Sequence, residues 1–116
     1  MIEKILLDYL QTSLPDIPCY MERPEKKPRG KYILLEKTGS GLSNHLDRAT
    51  MAVQSYAPSL EEAGTLNVAV KKLMLEADTV ESISGVRLQT DYNFTDPTTK
   101  QPRYQAVFDF YYYEEE

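Results

Sequence analysis

Few side chains in this sequence have the type and spacing that catalysis or metal binding would need. His45 is the only histidine, in the run Asn44, His45, Leu46, Asp47, Arg48, and one imidazole excludes any multi-histidine metal site. Asp47 shares a face with it only if the segment is extended, and the pair reads as solvent-facing residues beside a loop. Cys19, the only cysteine, has no partner for an intramolecular disulfide and reads as a small buried hydrophobe rather than a nucleophile. Asp91 and Asp109 lie across the last hairpin as the one carboxylate pair suited to acid/base work, yet Gln89 and Gln105 beside them mark a solvated sheet face. Gly39, Ser40 and Gly41 follow a strand but lack the lysine and the helix of a phosphate-cradling loop, and they read as a turn. No catalytic residue, cofactor or metal site is expected, so function falls to surfaces.

Two surface features stand out. The cations Arg23, Lys26, Lys27, Arg29 and Lys31 are interrupted by Pro24, Pro28 and Gly30 and read as a solvated loop. The formal charge of −5 sets the chain as a whole against phosphate backbones. Tyrosine is the outlier, with nine residues, three of them consecutive at Tyr111, Tyr112 and Tyr113. In a strand these rings alternate between faces, so at least one leaves the core side and offers contact to a neighbour. Glu114, Glu115 and Glu116 then close the strand in a charged tail that opposes edge-to-edge pairing.

The 116 residues suit a single domain, 1–116, with 41% hydrophobic and 27% charged residues, a composition that folds rather than stays disordered. No run approaches the ~18 apolar residues of a membrane helix. Glu3 and Asp8 interrupt any signal-like stretch near the start, and a lone cysteine fits a reducing, cytosolic setting.

Hydrophobic spacing then supplies the elements. Ile2, Ile5, Leu6, Tyr9 and Leu10 form one stripe of an amphipathic helix, with Glu3, Lys4, Asp8 and Gln11 opposite, and Pro15 stops it by Leu14. Cys19 to Glu22 is at most a short strand. Tyr32, Ile33, Leu34 and Leu35 within Lys31 to Lys37 predict a central strand buried on both faces. Thr38 to Asn44 predicts a mobile tip and Asp47 to Ala57 a returning strand. Ser59 with Glu62 three positions on is a capping-box start for a helix reaching about Glu76, its apolar stripe including Ala63, Leu66, Asn67, Val70 and Met74. Ile83, Val86, Leu88, Thr90 and Tyr92 predict one face of a strand kinked at Gly85, and Tyr104, Ala106, Phe108, Phe110 and Tyr112 one face of the last, Arg103 to Tyr113. The order predicts an α+β fold, a mostly antiparallel sheet of four to five strands with two helices packed on one face.

The stretch Glu36 to Glu62, with Gly39, Gly41, the run Asn44 to Thr50 and then Val53 to Ala57, resembles the small tail-terminator and tail-completion proteins of long-tailed bacteriophages and prophages. That resemblance implies a structural protein, not an enzyme. Its subunits would close into a ring, usually a hexamer, that caps the tail tube and joins it to the head connector. It would assemble in the host cytoplasm and remain in the virion, with DNA passing through the lumen without specific binding. Contact residues are then expected at Arg29 and Lys31 of the basic loop together with the tip at Gly39, Gly41, His45 and Arg48, and at Tyr111, Tyr112 and Tyr113. Two readings from other classes stay open at this point. One is a ligand-binding or enzymatic domain with a pocket lined by Tyr32, Tyr92 and Tyr104; the other is a dimeric adaptor pairing through Arg103 to Tyr113 as an edge strand.

Overall fold

A computed structural model describes residues 1–114 of the chain. The elements run α1 (Ile2–Ser13), β1 (Cys19–Tyr20), β2 (Tyr32–Ser43), β3 (Leu46–Tyr56), α2 (Leu60–Leu75), a 3-10 turn at Ala77–Thr79, β4 (Ile83–Asn93) and β5 (Arg103–Tyr112). The strands form one sheet in the order β1-β2-β3-β5-β4, antiparallel except where β1 pairs parallel with β2. This is the expected α+β class, with both helices on one face.

Each helix follows its sequence signals. α1 buries Ile2, Leu6 and Leu10 and leaves Lys4 and Asp8 paired in solvent at 2.6 Å. Gln11, expected on the wet side, is partly buried instead: its amide donates to the carbonyls of Leu14 and Ile17, and its Oε1 accepts from the Cys19 N–H. One side chain thus satisfies the turn that Pro15 forces on the chain between α1 and β1. At the start of α2 the Ser59 hydroxyl accepts from the Glu62 N–H at 3.2 Å and donates to the Glu62 carboxylate at 3.0 Å. The cap is real, though Glu62 returns to the hydroxyl rather than to the Ser59 backbone. α2 buries Ala63, Leu66, Asn67, Val70 and Met74, and the Tyr9 hydroxyl donates to the Leu73 carbonyl, tying α1 to α2. Mid-helix Gly64 has its reason in Tyr104, whose ring would lie 3.4 Å from any Cβ there.

The sheet differs from expectation in three places. β2 does not turn at Gly39 to Gly41 but runs on to Ser43, with a register shift at Thr38. The tip is only Asn44 and His45, at φ 50° and 67°, as a two-residue hairpin with matched twist requires. The glycines and serines that suggested a loop are small residues within a strand. Nor is β2 central: β1 covers only Ile33 and Leu34, and the middle of the sheet is β3 and β5. This also removes β5 as an edge, since β4 lies outside it. Finally, a bulge between Leu88 and Thr90 reverses the parity of β4: Leu88 stands opposite Phe108, but Asp91 stands opposite Ala106 and Tyr92 opposite Gln105. Val86 and Leu88 therefore join the core while Tyr92 faces the other way.

The core lies between helices and sheet, where Ile2, Leu6, Leu10, Leu66, Val70 and Met74 meet Ile33, Leu35, Met51, Val53, Ala106, Phe108 and Phe110. Because His45 holds a conformation that costs a side-chain-bearing residue energy and glycine almost none, His45→Gly should raise stability by ~0.5–1 kcal/mol, read from urea midpoints. Phe108→Ala, which empties the middle of the core, should lower it by about 3–5 kcal/mol in the same experiment.

Candidate functional site

The sheet face turned away from the helices carries no helix among the described residues, yet Tyr32, Leu34, Gln54, Tyr56 and Gln105 on it are buried, and Arg23, Pro24, Lys27 and Gln101 border its Tyr32–Tyr56 end. Its centre is Asp109, 3% exposed, whose carboxylate accepts from the Thr50 hydroxyl at 2.7 Å, the Gln89 amide at 2.9 Å and the Arg87 guanidinium at 3.1 Å. These donors come from β3 and β4, which flank β5, so the carboxylate ties together three strands. Burial by itself pushes the Asp109 carboxyl up, but the hydrogen bonds from Gln89, Thr50 and Arg87 outweigh it and hold the group below the ordinary carboxylate range.

Further along the same face a second network crosses three strands. The Tyr56 hydroxyl donates to Gln54 Oε1 at 2.7 Å, Gln54 Nε2 donates to Gln105 Oε1 at 2.8 Å, and Gln105 Nε2 donates to the Tyr92 hydroxyl at 2.6 Å. Tyr32 stacks on Tyr56 with ring centroids 4.4 Å apart, and Arg103 donates to the Tyr56 hydroxyl while lying over the Phe94 ring. Amides and phenols carry this network.

The expected contact residues are dispersed over the molecule. Gly39, Gly41, Arg48 and Tyr111 share the open face: Arg48 pairs in register with Gly41 and with Tyr111. A Cβ on Gly41 would come within 2.8 Å of the Arg48 guanidinium, so the glycine makes the space in which Arg48 lies flat. His45 sits at the exposed tip beyond them. Tyr112, by contrast, faces the helices and belongs to the core, while Tyr113 lies past the strand end and is 60% exposed. Arg29 and Lys31 are at the other end of β2. With Pro28, Pro18, Ile17 and Pro58 they line a cleft of about 710 Å³, bordered by Asp16 and Glu62. Basic loop and hairpin tip are therefore opposite ends of the molecule and not one contact region, because β2 is extended between them. Glu115 and Glu116 lie outside the described residues.

Other sequence expectations resolve here. Asp91 and Asp109 are not a pair on one solvated face: Asp109 is buried on the open face, whereas Asp91 turns to α2 and accepts from Asn67 and Lys71 at 3.0 and 3.1 Å. The tyrosines of the imagined pocket are separated too, since Tyr104 packs against Gly64 on the helix side while Tyr32 and Tyr92 are on the open face. Burial drives the Cys19 thiol up to about 11, which suits a packing residue. Among the described residues there is no cluster of three or more His, Cys, Asp or Glu able to hold a metal, and no helix is long and apolar enough to cross a membrane. No protein-family model matches the chain, and no curated protein matches it in sequence.

The Gln54, Tyr56, Gln105, Tyr92 and Arg103 network escaped sequence reading. Its trace is the polar alternation Thr50, Gln54, Tyr56 on one strand and Gln105, Asp109 on another, but only the register of β3 on β5 joins the two. Because the folded Asp109 titrates below its unfolded value, its stabilisation is present above about pH 4 and disappears as pH falls through the folded value. Urea midpoints from pH 7 to pH 2 should therefore decline less steeply in Asp109→Asn than in the parent. Asp109→Ala, which strands the Gln89 and Thr50 donors, should cost about 1–3 kcal/mol, and Arg87→Ala, at an exposed guanidinium, less than about 1 kcal/mol.

Proposed function

We propose that the chain is a structural subunit of the tail-terminator or tail-completion kind, working by contact and without chemistry of its own. The observation that carries this reading is the one-sided fold: helices on one face, and on the other a rigid, polar and aromatic sheet surface fixed by its own hydrogen bonds. Such a face is ready to meet another protein without first being ordered, and preorganisation of that kind reduces the cost of association. The stretch that resembles the terminator proteins, Glu36 to Glu62, builds the β2–β3 hairpin and the start of α2.

The hairpin adds to the case. Among the described residues no strand lies beside the outer edge of β2 beyond Leu34, and that edge carries Gly39, Ser40, Gly41 and Leu42, the last 79% exposed. A subunit of a head-to-tail ring needs two different patches, and the β2 end and the open face supply distinct surfaces. The chain would meet copies of itself, the tail tube and the head connector, assembling in the host cytoplasm and staying in the virion. Its net charge of −5 suits a lumen through which DNA slides without sticking.

Negative-stain electron microscopy with light-scattering mass over a concentration series tests this, with and without tail-tube assemblies. Open rings of six subunits, alone or on tube ends, are the expected outcome. A strict monomer or dimer that no tube recruits would sink the proposal. Leu42→Asp and Tyr111→Ala should each reduce ring yield several-fold while leaving the urea midpoint nearly unchanged, since neither side chain is part of the core.

A further inference from the structure

Positive charge gathers around the stacked Tyr32 and Tyr56 without a matching carboxylate. Arg23 and Lys27, from the loop between β1 and β2, and Gln101, from the loop before β5, close a pocket of about 220 Å³ over the two rings. Arg103 adds a third positive charge beside it, its guanidinium donating to the Tyr56 hydroxyl at 3.1 Å. Among the described residues none of the three cations forms an ion pair. Burial raises the Tyr32 phenol; the hydrogen bond from Gln101 and the charges of Arg23 and Arg103 oppose it, and no carboxylate contributes. The acidic groups nearby are turned to other uses. Asp96 feels Arg103 and Arg23 from the β4–β5 loop, but its carboxylate accepts from the Thr98 and Thr99 N–H groups of its own turn. Glu22 and Glu36 border the adjoining groove over Gln54, which shares Arg23 and Leu34 with this pocket, while Lys27 borders the pocket alone.

The floor also holds an unspent donor. Tyr32 is 6% exposed and accepts from the Gln101 amide at 2.8 Å, but among the described residues its own O–H finds no acceptor. The Tyr56 hydroxyl next to it already donates to Gln54. A buried hydroxyl with a free proton, beside a guanidinium and an ammonium, is a donor set for an oxyanion. Two cations and a hydroxyl suit a doubly charged tetrahedral group better than a planar, singly charged carboxylate. The volume lies below the ~300–1,000 Å³ of sites for larger ligands, so little more than that group enters, and Pro24 and Leu34 give its organic end an apolar wall.

We propose that this pocket binds the phosphate of a small phosphomonoester, with Arg23 and Lys27 pairing with its oxygens, the Tyr32 hydroxyl donating to it, and Pro24 and Leu34 against its organic end. The site goes beyond the ring reading and does not depend on it.

The test is an NMR titration of the isotope-labelled full-length chain with phenyl phosphate. Saturable shifts at the amides of Lys27, Tyr32, Leu34 and Gln101 are expected. Lowering the pH from about 8 to about 5 should weaken binding on the order of tenfold, because the ester's second ionisation lies at about pH 6. His45, the one histidine, is at the far hairpin tip and does not supply this dependence. Tyr32→Phe and the Arg23→Gln, Lys27→Gln double variant should each weaken binding on the order of tenfold. Arg29→Gln with Lys31→Gln, which removes as much charge from the same loop at the neighbouring cleft, should leave it nearly unchanged. Equal losses in the two double variants would mean diffuse attraction to a basic loop and overturn the proposal. So would an absence of shifts at millimolar ligand. Binding as tight by benzoate, by inorganic phosphate or by a short single-stranded oligonucleotide would also overturn it, assigning the pocket to carboxylates, to the free ion or to a nucleic-acid backbone. Ring formation is a separate readout: a chain that binds the ester but forms no rings, with or without tail tubes, keeps the site and loses the terminator reading.

Discussion

The pairing of β3 with β5 is the constraint on which the rest of the structure hangs. It runs without a bulge from Asp47 opposite Tyr112 to Tyr56 opposite Arg103, and it aligns two different chemistries at once. On the helix side Met51 meets Phe108 and Val53 meets Ala106; on the open side Thr50 meets Asp109 and Gln54 meets Gln105. A slip of one residue would turn amides and a carboxylate toward the helices and phenylalanines toward water. Apolar burial and polar pairing therefore specify the same register, which is the agreement between levels that marks a well-determined fold.

The open face also explains how a sheet can keep one side without a helical layer. Its polar side chains Gln54, Gln105 and Asp109 are buried beside the Tyr32, Leu34 and Tyr56 cluster, so they must satisfy one another. Asp109 does so with three donors from the two flanking strands, and the glutamine–tyrosine chain does so across three strands, β3, β5 and β4. The bulge in β4 belongs to the same arrangement. By reversing parity after Leu88 it sends Tyr92 to Gln105 on the open side and Asp91 to Asn67 and Lys71 on the helix side, so the Tyr92 hydroxyl and the Asp91 carboxylate each find a partner.

Element types and the core were legible because they rest on local rules. The stripe of α1, the Ser59 cap and the alternation of β5 from Tyr104 to Tyr112 are written in neighbouring residues. What escaped was written in pairing. Gly39 and Gly41 looked like a turn because glycine in isolation signals one, whereas both lie within β2 and Gly41 makes room for Arg48 on the adjacent strand. Gln11 looked solvent-facing by helical spacing, but its amide serves the turn that follows. The parity of β4 depends on one extra residue, and β5 could not be placed inside the sheet rather than at its edge without knowing that β4 folds back outside it. The residues expected at contacts were scattered by the same pairing: Gly39, Gly41, Arg48 and Tyr111 lie on one face, Tyr112 is in the core, and Arg29 and Lys31 are at the far end.

The interior position of β5 has a consequence for how the chain comes into being. β3 can pair with β2 as soon as the Asn44–His45 turn forms, but its other edge waits for a strand that arrives much later: Gln54 and Gln105 are 51 residues apart in the chain. At ribosomal rates of about 5–20 residues per second, that edge stays open for roughly 3–10 s. Throughout that interval Met51, Ala52 and Val53 present an unpaired, apolar strand in a crowded cell. The cost of pairing β3 with so distant a strand is a newborn chain that is vulnerable to wrong pairing until β5 emerges.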